Sequence, residues 1–389
     1  MCVTRRKQPI LSVYKMALVM KGHKSYLKCI LELCLLLFCV ACASDQKIKG
    51  RAQLETSSVC IRITPGQLTD YLVFDVYKGS ENFELYGYNS INSSLDVFSL
   101  ANRSVSRVIP LSQIGPTAVN DVVAIKVISP EVVWFATLSD LIVYDLERNA
   151  VHRRISLSDL NDKFSLAKYA YFFENHGELV PLSDTSVLVQ AGVFPLYNGS
   201  SSLHLSVMNV NSSKIVELPV RLPEWVNAAN HFGALNAIQF GYSNGKIHYN
   251  FPFSDSLYQY RVADGQDISP IQFNSPNLPT VLKPYTGNGE MDALIDYASA
   301  SSFYMGFQRV VNRKEVLYRF LVESSEEPPY SYTTKLEIFV ENEPIARNDI
   351  CQWCKTRSFS IGDTIFIFKE GISEEELCFE TVLLPLSEK

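Results

Sequence analysis

Two loop histidines, a run of three carboxylates and a Cys-x-x-Cys pair are the residues of this chain whose types could do chemistry. His176 stands in Asn175-His176-Gly177 and His231 in Asn230-His231-Phe232-Gly233. Neutral imidazole suits zinc, copper or iron, so the two could meet on a metal. No HxH or HExxH spacing supports a metal, and histidines that cap turns are the plainer reading. Glu290, Asp292 and Asp296 fall within NGEMDALIDY. Paired carboxylates can do acid–base work on sugars, although carboxylates near a loop are more often solvated groups. Cys351-Gln352-Trp353-Cys354 has the spacing of redox and zinc sites. Three readings of it stay open: a structural disulfide, free buried thiols, or a metal or redox centre. A four-cysteine zinc site would have to recruit Cys60 and Cys378. The chain has no GxSxG elbow, no Gly-rich phosphate loop and no EF-hand spacing. No catalytic residue, cofactor or metal is therefore expected from its motifs.

Binding is the better-supported chemistry. Residues 158–178, 220–236 and 276–302 exceed the usual loop length, and long loops in compact domains tend to be functional. They carry Phe172, Phe173, His176, Trp225, His231, Tyr285 and Asp292. Aromatic rings bordered by polar groups make platforms for sugars or peptides. The competing reading has the same aromatics plugging the wide end of a channel. Phe172, His176, Trp225, His231, Tyr285 and Asp292 are the candidate ligand-binding residues.

The elements that position these loops read as strand after strand. Among 389 residues, 47% are hydrophobic and 20% charged, as in a chain with a large core. Twenty tyrosines and 22 phenylalanines fit half-buried strands better than helices. The net charge of −6 implies no basic face, so nucleic acid is not an expected partner. The strand Leu141–Leu146, a polar turn and the alternating strand Val151–Leu157 repeat the pattern of Asp96–Leu100 and Val105–Leu111, with Leu111 and Leu157 46 residues apart. A period of roughly 40–50 residues with four short strands marks a β-propeller blade. Further units run over 186–222, 237–273, 303–340 and 359–384, with short helical turns near 160–169 and 290–297. The expected class is all-β, a β-propeller of six blades over residues 57–389, with paired β-sandwiches as the competing architecture. The last unit shows three strands. Its outer strand is supplied by Val59–Ile63, because pairing the two ends of the chain removes an exposed edge. That closure puts Cys60 and Cys378 on neighbouring strands, where a disulfide forms if their Cα atoms lie about 4.4–6.8 Å apart.

The N-terminal segment, residues 1–41, reads as an export signal. Leu33–Ala41 is an apolar run of nine, too short to span a bilayer, which needs about 20 apolar residues. Lys21, His23, Lys24 and Lys28 precede it as a charged region. Met20, or Met16, is the expected start. Val40-Ala41-Cys42 resembles the lipobox of bacterial lipoproteins, and the position three before the cysteine departs from it, holding Cys39 where leucine is usual. The resemblance implies that Cys42 carries lipid and that residues 42–56 form a tether. A cut near Cys42 without lipid is the alternative. Stable anchoring needs more than one acyl chain.

With its lipobox, its repeat and strings such as LIVYDLERNAVHRRISL, the chain resembles the six-bladed propeller lipoproteins of Bacteroidota-type bacteria known as the domain-of-unknown-function 4221 group. That family supplies no activity or catalytic residues to carry over. The expected function is that of a membrane-tethered propeller, at the outer membrane of the cell envelope, whose loop face binds a protein or glycan. A glycan-cleaving hydrolase or lyase using channel-mouth carboxylates and histidines is the alternative, and a sensor of envelope stress or nutrients a third.

Overall fold

A computed structural model describes residues 54–79, 82–137, 139–156, 179–191, 203–227, 230–263, 265–271, 282–287, 290–311, 315–324, 332–341, 343–350, 354–370 and 374–384. The expectations about residues 1–41, Cys42, Phe172, Phe173, His176 and Cys351 lie outside these, and of Cys354 only the backbone is described. Among the described residues no helix is long and apolar enough to cross a membrane.

The chain is all-β, with 24 strands and one α-helix of more than a turn among the described residues. β1 (Glu55–Arg62) is followed by four-strand antiparallel meanders. The first group is β2 (Phe74–Lys78), β3 (Phe83–Asn89), β4 (Ser94–Ser99) and β5 (Ser104–Pro110). The second is β6 (Val122–Ser129), β7 (Val132–Thr137), β8 (Asp140–Asp145) and β9 (Ala150–Ser156). The third is β10 (Val180–Ser183), β11 (Ser186–Ala191), β12 (His204–Asn209) and β13 (Ile215–Arg221). The fourth is β14 (Gln239–Ser243), β15 (Lys246–Asn250), β16 (Leu257–Arg261) and β17 (Gln266–Ile271). After helix α1 (Met291–Ser299), the fifth is β18 (Phe303–Val311), β19 (Glu315–Ser324), β20 (Tyr332–Val340) and β21 (Glu343–Asp349). The chain ends in β22 (Cys354–Ile361), β23 (Thr364–Lys369) and β24 (Glu376–Leu383).

The strand from the N-terminus completes this last group. β1 pairs antiparallel with β24 over its whole length, with Cys60 opposite Cys378, and starts at Glu55, two residues ahead of the expected boundary. The expected blades nevertheless appear as five hydrogen-bonded sheets. The end of β1 also meets the start of β5 in a single parallel bridge, Arg62 to Ser104, which joins the last group and the first into one eight-stranded sheet.

Side-chain alternation explains why the inner strands are apolar on both faces. Successive residues of a strand point to opposite sides. On β8, Leu141 and Val143 enter a core shared with the third group, while Ile142 and Tyr144 enter one shared with the first. On β7, Trp134 and Ala136 take the former side and Val133 and Phe135 the latter. Further cores join the third, fourth and fifth groups, the fifth to the last, and the last to the first. Polar clasps reinforce these seams. Val127 N donates to Asp75, Ile238 N to Gln190 and Phe307 N to Gln239, each from one group to the next. Outer strands such as β5 and β9 are exposed on alternate residues and carry Arg107, Arg153 and Arg154, charges that discourage edge-to-edge pairing.

Candidate functional site

The loop between β13 and β14 carries two of the residues singled out by sequence. Trp225 is 50% exposed. Its indole stands edge-on to Phe232 and Phe253, with ring centroids 5.8 and 5.5 Å away, and those two phenyl rings stack on each other at 4.5 Å. The Asn227 and Asn230 side chains both donate to the Trp225 carbonyl. A half-exposed indole is thus held from beneath by apolar rings, on a backbone fixed by the two amides.

His231 lies deeper. Gly233 N donates to its Nδ1 at 3.3 Å, which leaves the proton of a neutral ring on Nε2, and burial lowers its pKa. Its carbonyl accepts from Tyr285 N at 2.7 Å, and the His231 and Tyr285 rings meet at 5.5 Å. Tyr285 is buried and packs on Tyr297 of α1, whose hydroxyl donates to Lys283 O. Glycine is required at 287, because a Cβ there would come within 2.1 Å of the Tyr285 hydroxyl. Trp225, His231 and Tyr285 therefore stand in aromatic contacts built from three loops and α1. Asp292 is exposed in the first turn of α1, and among the described residues no hydrogen bond or ion pair joins it to His231.

Cys60 and Cys378 are disulfide-bonded, with Cα atoms 4.1 Å apart, slightly closer than the expected range. Glu376 lies within 4.8 Å of both sulfurs, but sulfurs bonded to each other offer no thiolate to a metal.

A second feature was not singled out by sequence. The first strands of all six groups, β2, β6, β10, β14, β18 and β22, converge on one cavity of about 320 Å³. Val73, Ile125, Val180, Phe240 and Phe359 supply the apolar part of its walls, and Asp75, Lys126, Gln308, Arg309, Ser358 and Ser360 the polar part. Among its charged groups, Asp75 accepts from Lys126 Nζ and from Val127 N, each at 2.8 Å. Gln308 donates to Ser358 O and accepts from Tyr318 Oη, also at 2.8 Å. Arg309 follows a bulge in β18 at Gly306, whose φ of +59° and contacts with Phe320 and the Thr356 carbonyl exclude a side chain. Bulges of this kind re-aim the side chains beyond them. The sequence did hold a signal for this cavity: single charged residues inside apolar strands, as in FDVYK, VVAIKVIS and FYMGFQRVV.

Close by, between β15 and the start of β19, His248 is 1% exposed. Its Nε2 lies 3.1 Å from Ser243 Oγ and 2.7 Å from Glu315 Oε1, which makes no hydrogen bond to it, and its Nδ1 is buried without a partner. Burial, assisted by the Lys246 and Arg309 cations, pushes the imidazole down to about 4. Serine and carboxylate both approach the same ring nitrogen. A nucleophilic triad would need the carboxylate on the other one, so the cluster is not arranged for that chemistry.

No protein-family model matches the chain, and no curated protein matches it. Solved structures do. A domain-of-unknown-function 4221 family protein from Bacteroides vulgatus is 14% identical, with a TM-score of 0.67, covering 85% of this chain and 98% of its own. A Bacteroides fragilis protein named for its expected export is 12% identical, with a TM-score of 0.56, covering 87% of this chain and 98% of its own. The fold of this chain is therefore that of the 4221-family structure, the same group that its sequence resembles.

Proposed function

We propose that this chain is a six-bladed β-propeller, tethered to the cell envelope by lipid on Cys42, that binds a protein or glycan on its loop face. Six groups of four strands, cores that link each to the next, and inner strands around one cavity support the propeller reading. The Val40-Ala41-Cys42 sequence and the name of the exported Bacteroides fragilis neighbour support the envelope location. The observation that carries the binding reading is Trp225, half exposed on a fixed aromatic base. A large apolar ring held in one orientation loses little entropy when a ligand covers it.

Two measurements test the proposal. Cells fed an alkyne-bearing palmitate should label the wild-type chain and not Cys42→Ala; equal labelling of both would remove the anchor. Titrating the purified protein with solubilised envelope glycans, then with envelope protein extracts, should change the tryptophan emission of the wild type. Trp225→Ala should lose that change and, since the ring is half in water, little stability. Binding that survives Trp225→Ala would remove this face as the site.

A further inference from the structure

We propose that the central cavity is a second binding site, separate from the loop face, for a small organic carboxylate with an apolar body, its anionic end on Arg309. Burial lowers the Arg309 pKa and so penalises its charge, and the Glu315 carboxylate acts the other way. Among the described residues Arg309 makes no hydrogen bond and no ion pair, and its Nε is buried without a partner. Of the carboxylates nearby, Asp75 is hydrogen-bonded to Lys126 and Val127 N, and Glu315, which lies against His248, makes no hydrogen bond to Arg309. Desolvated charges in proteins are normally paired, because an unpaired one costs free energy. The fold does pair its fully buried cation on the neighbouring strand: Arg319 donates to Glu337 at 2.8 Å and lies 3.6 Å from the Tyr304 ring centroid.

A guanidinium left without a partner on a cavity wall matches the planar fork of a carboxylate. The rest of the wall sets the ligand's other end. Val73, Ile125, Val180, Phe240 and Phe359 give it an apolar part beside the polar Gln308, Ser358 and Ser360, and the cavity of about 320 Å³ falls at the small end of ligand pockets. An inorganic anion would leave those walls unused. A short-chain acid would cover them.

Hexanoate, hexan-1-ol and inorganic phosphate serve as probes, added to the full-length chain in a maltoside detergent and followed by calorimetry and thermal melting. Hexanoate is expected to bind and raise the melting temperature, with hexan-1-ol and phosphate far weaker. Arg309→Gln should weaken hexanoate by about tenfold to 100-fold, the range for losing a charged hydrogen-bond partner. Arg309→Lys should fall between. Without ligand, Arg309→Gln should melt no lower than wild type, since it removes a cation that has no protein partner. Equal hexanoate affinity in wild type and Arg309→Gln would overturn the proposal. So would hexan-1-ol binding as well as hexanoate, phosphate binding as well as hexanoate, or an Arg309→Gln protein that melts several degrees below wild type. The loop-face reading is unaffected by each of these results, because Trp225 takes no part in them.

Discussion

The seam between the last group and the first is built from different material than the seam between the fourth and the fifth. In the closing seam, Phe74 of β2 meets Phe359 and Phe368 at 6.2 and 4.6 Å, and Phe379 joins them from β24. Arg357, fully buried, reaches across to Asp70. One strand further out, the Cys60–Cys378 disulfide fixes β1 to β24. The other seam is polar. Gln239 spans it by donating to Tyr304 O and accepting from Phe307 N, Arg319 donates to Asp255 O, and His248 faces Glu315. Aromatic packing and a covalent tie hold the place where the two ends of the chain must meet. Buried polar atoms without a hydrogen bond lie along the polar seam on His248, Tyr304, Arg309 and Glu315. The difference separates the seam that secures the fold from the seam with chemistry to spare.

Breaking the covalent tie is expected to have the largest effect. The disulfide joins residues 318 apart in sequence, and loops of that order contribute about 5 kcal/mol by restricting the unfolded chain. Replacing Cys60 and Cys378 together by serine should lower the unfolding free energy by about that amount in denaturant titrations. Reductant should destabilise the wild type similarly and leave the double variant unchanged. Intact-mass counting after alkylation without reductant should find neither cysteine modified; modification of both would mean that the seam closes without the bond. Phe359→Ala comes next. The ring is 6% exposed and packs on Phe366 and Phe379, so its loss should cost about 4 kcal/mol. A cost below about 1 kcal/mol, as at a surface site, would show that the closing seam does not depend on its aromatic packing.

The closing seam was legible in the sequence and the polar seam was not. β1 was expected as the missing outer strand from two local facts: a strand-like run at Val59–Ile63 and a last group one strand short. Cys60 opposite Cys378 then followed from register. Trp225, His231 and Tyr285 could be picked out because aromatics in long loops are conspicuous, yet the contact of His231 with Tyr285 spans 54 residues and no short motif encodes it. Strands such as β10 and β21 escaped the reading, the first because it is only four residues long, the second because Pro344 and three charged residues mask its alternation. The cavity escaped altogether. Its polar members are scattered over β2, β6, β14, β18 and β22, so nothing in the local sequence of β18 tells Arg309, which lacks a partner, from Arg319 ten residues on, which has one. Only the packing of the sheets decides which arginine meets a glutamate.

The polar seam makes its own smaller prediction, in acid. The His248 imidazole sits at about 4 in the folded protein against an ordinary 6.5, so the folded state stays neutral while the unfolded chain takes up a proton. Stability contributed by His248 is therefore complete above pH 6.5, declines as pH falls, and is gone below about pH 4. Linkage sets the size of that decline at about 3 kcal/mol between the two limits. Ser243 keeps its hydrogen bond to either form of the ring, and Glu315, 2.7 Å away, favours the charged one. Glu315→Gln should therefore push the imidazole lower still and steepen the acid loss, whereas His248→Gln should flatten it over the same range. The check is unfolding free energy measured at half-unit steps from pH 7 to pH 4, alongside an NMR titration of the His248 ring. A ring titrating at or above 6.5 would mean that the Glu315 carboxylate outweighs burial and the two neighbouring cations. His248 would then be charged in the folded protein at mild acidity, and the polar seam would be paired as completely as the aromatic one.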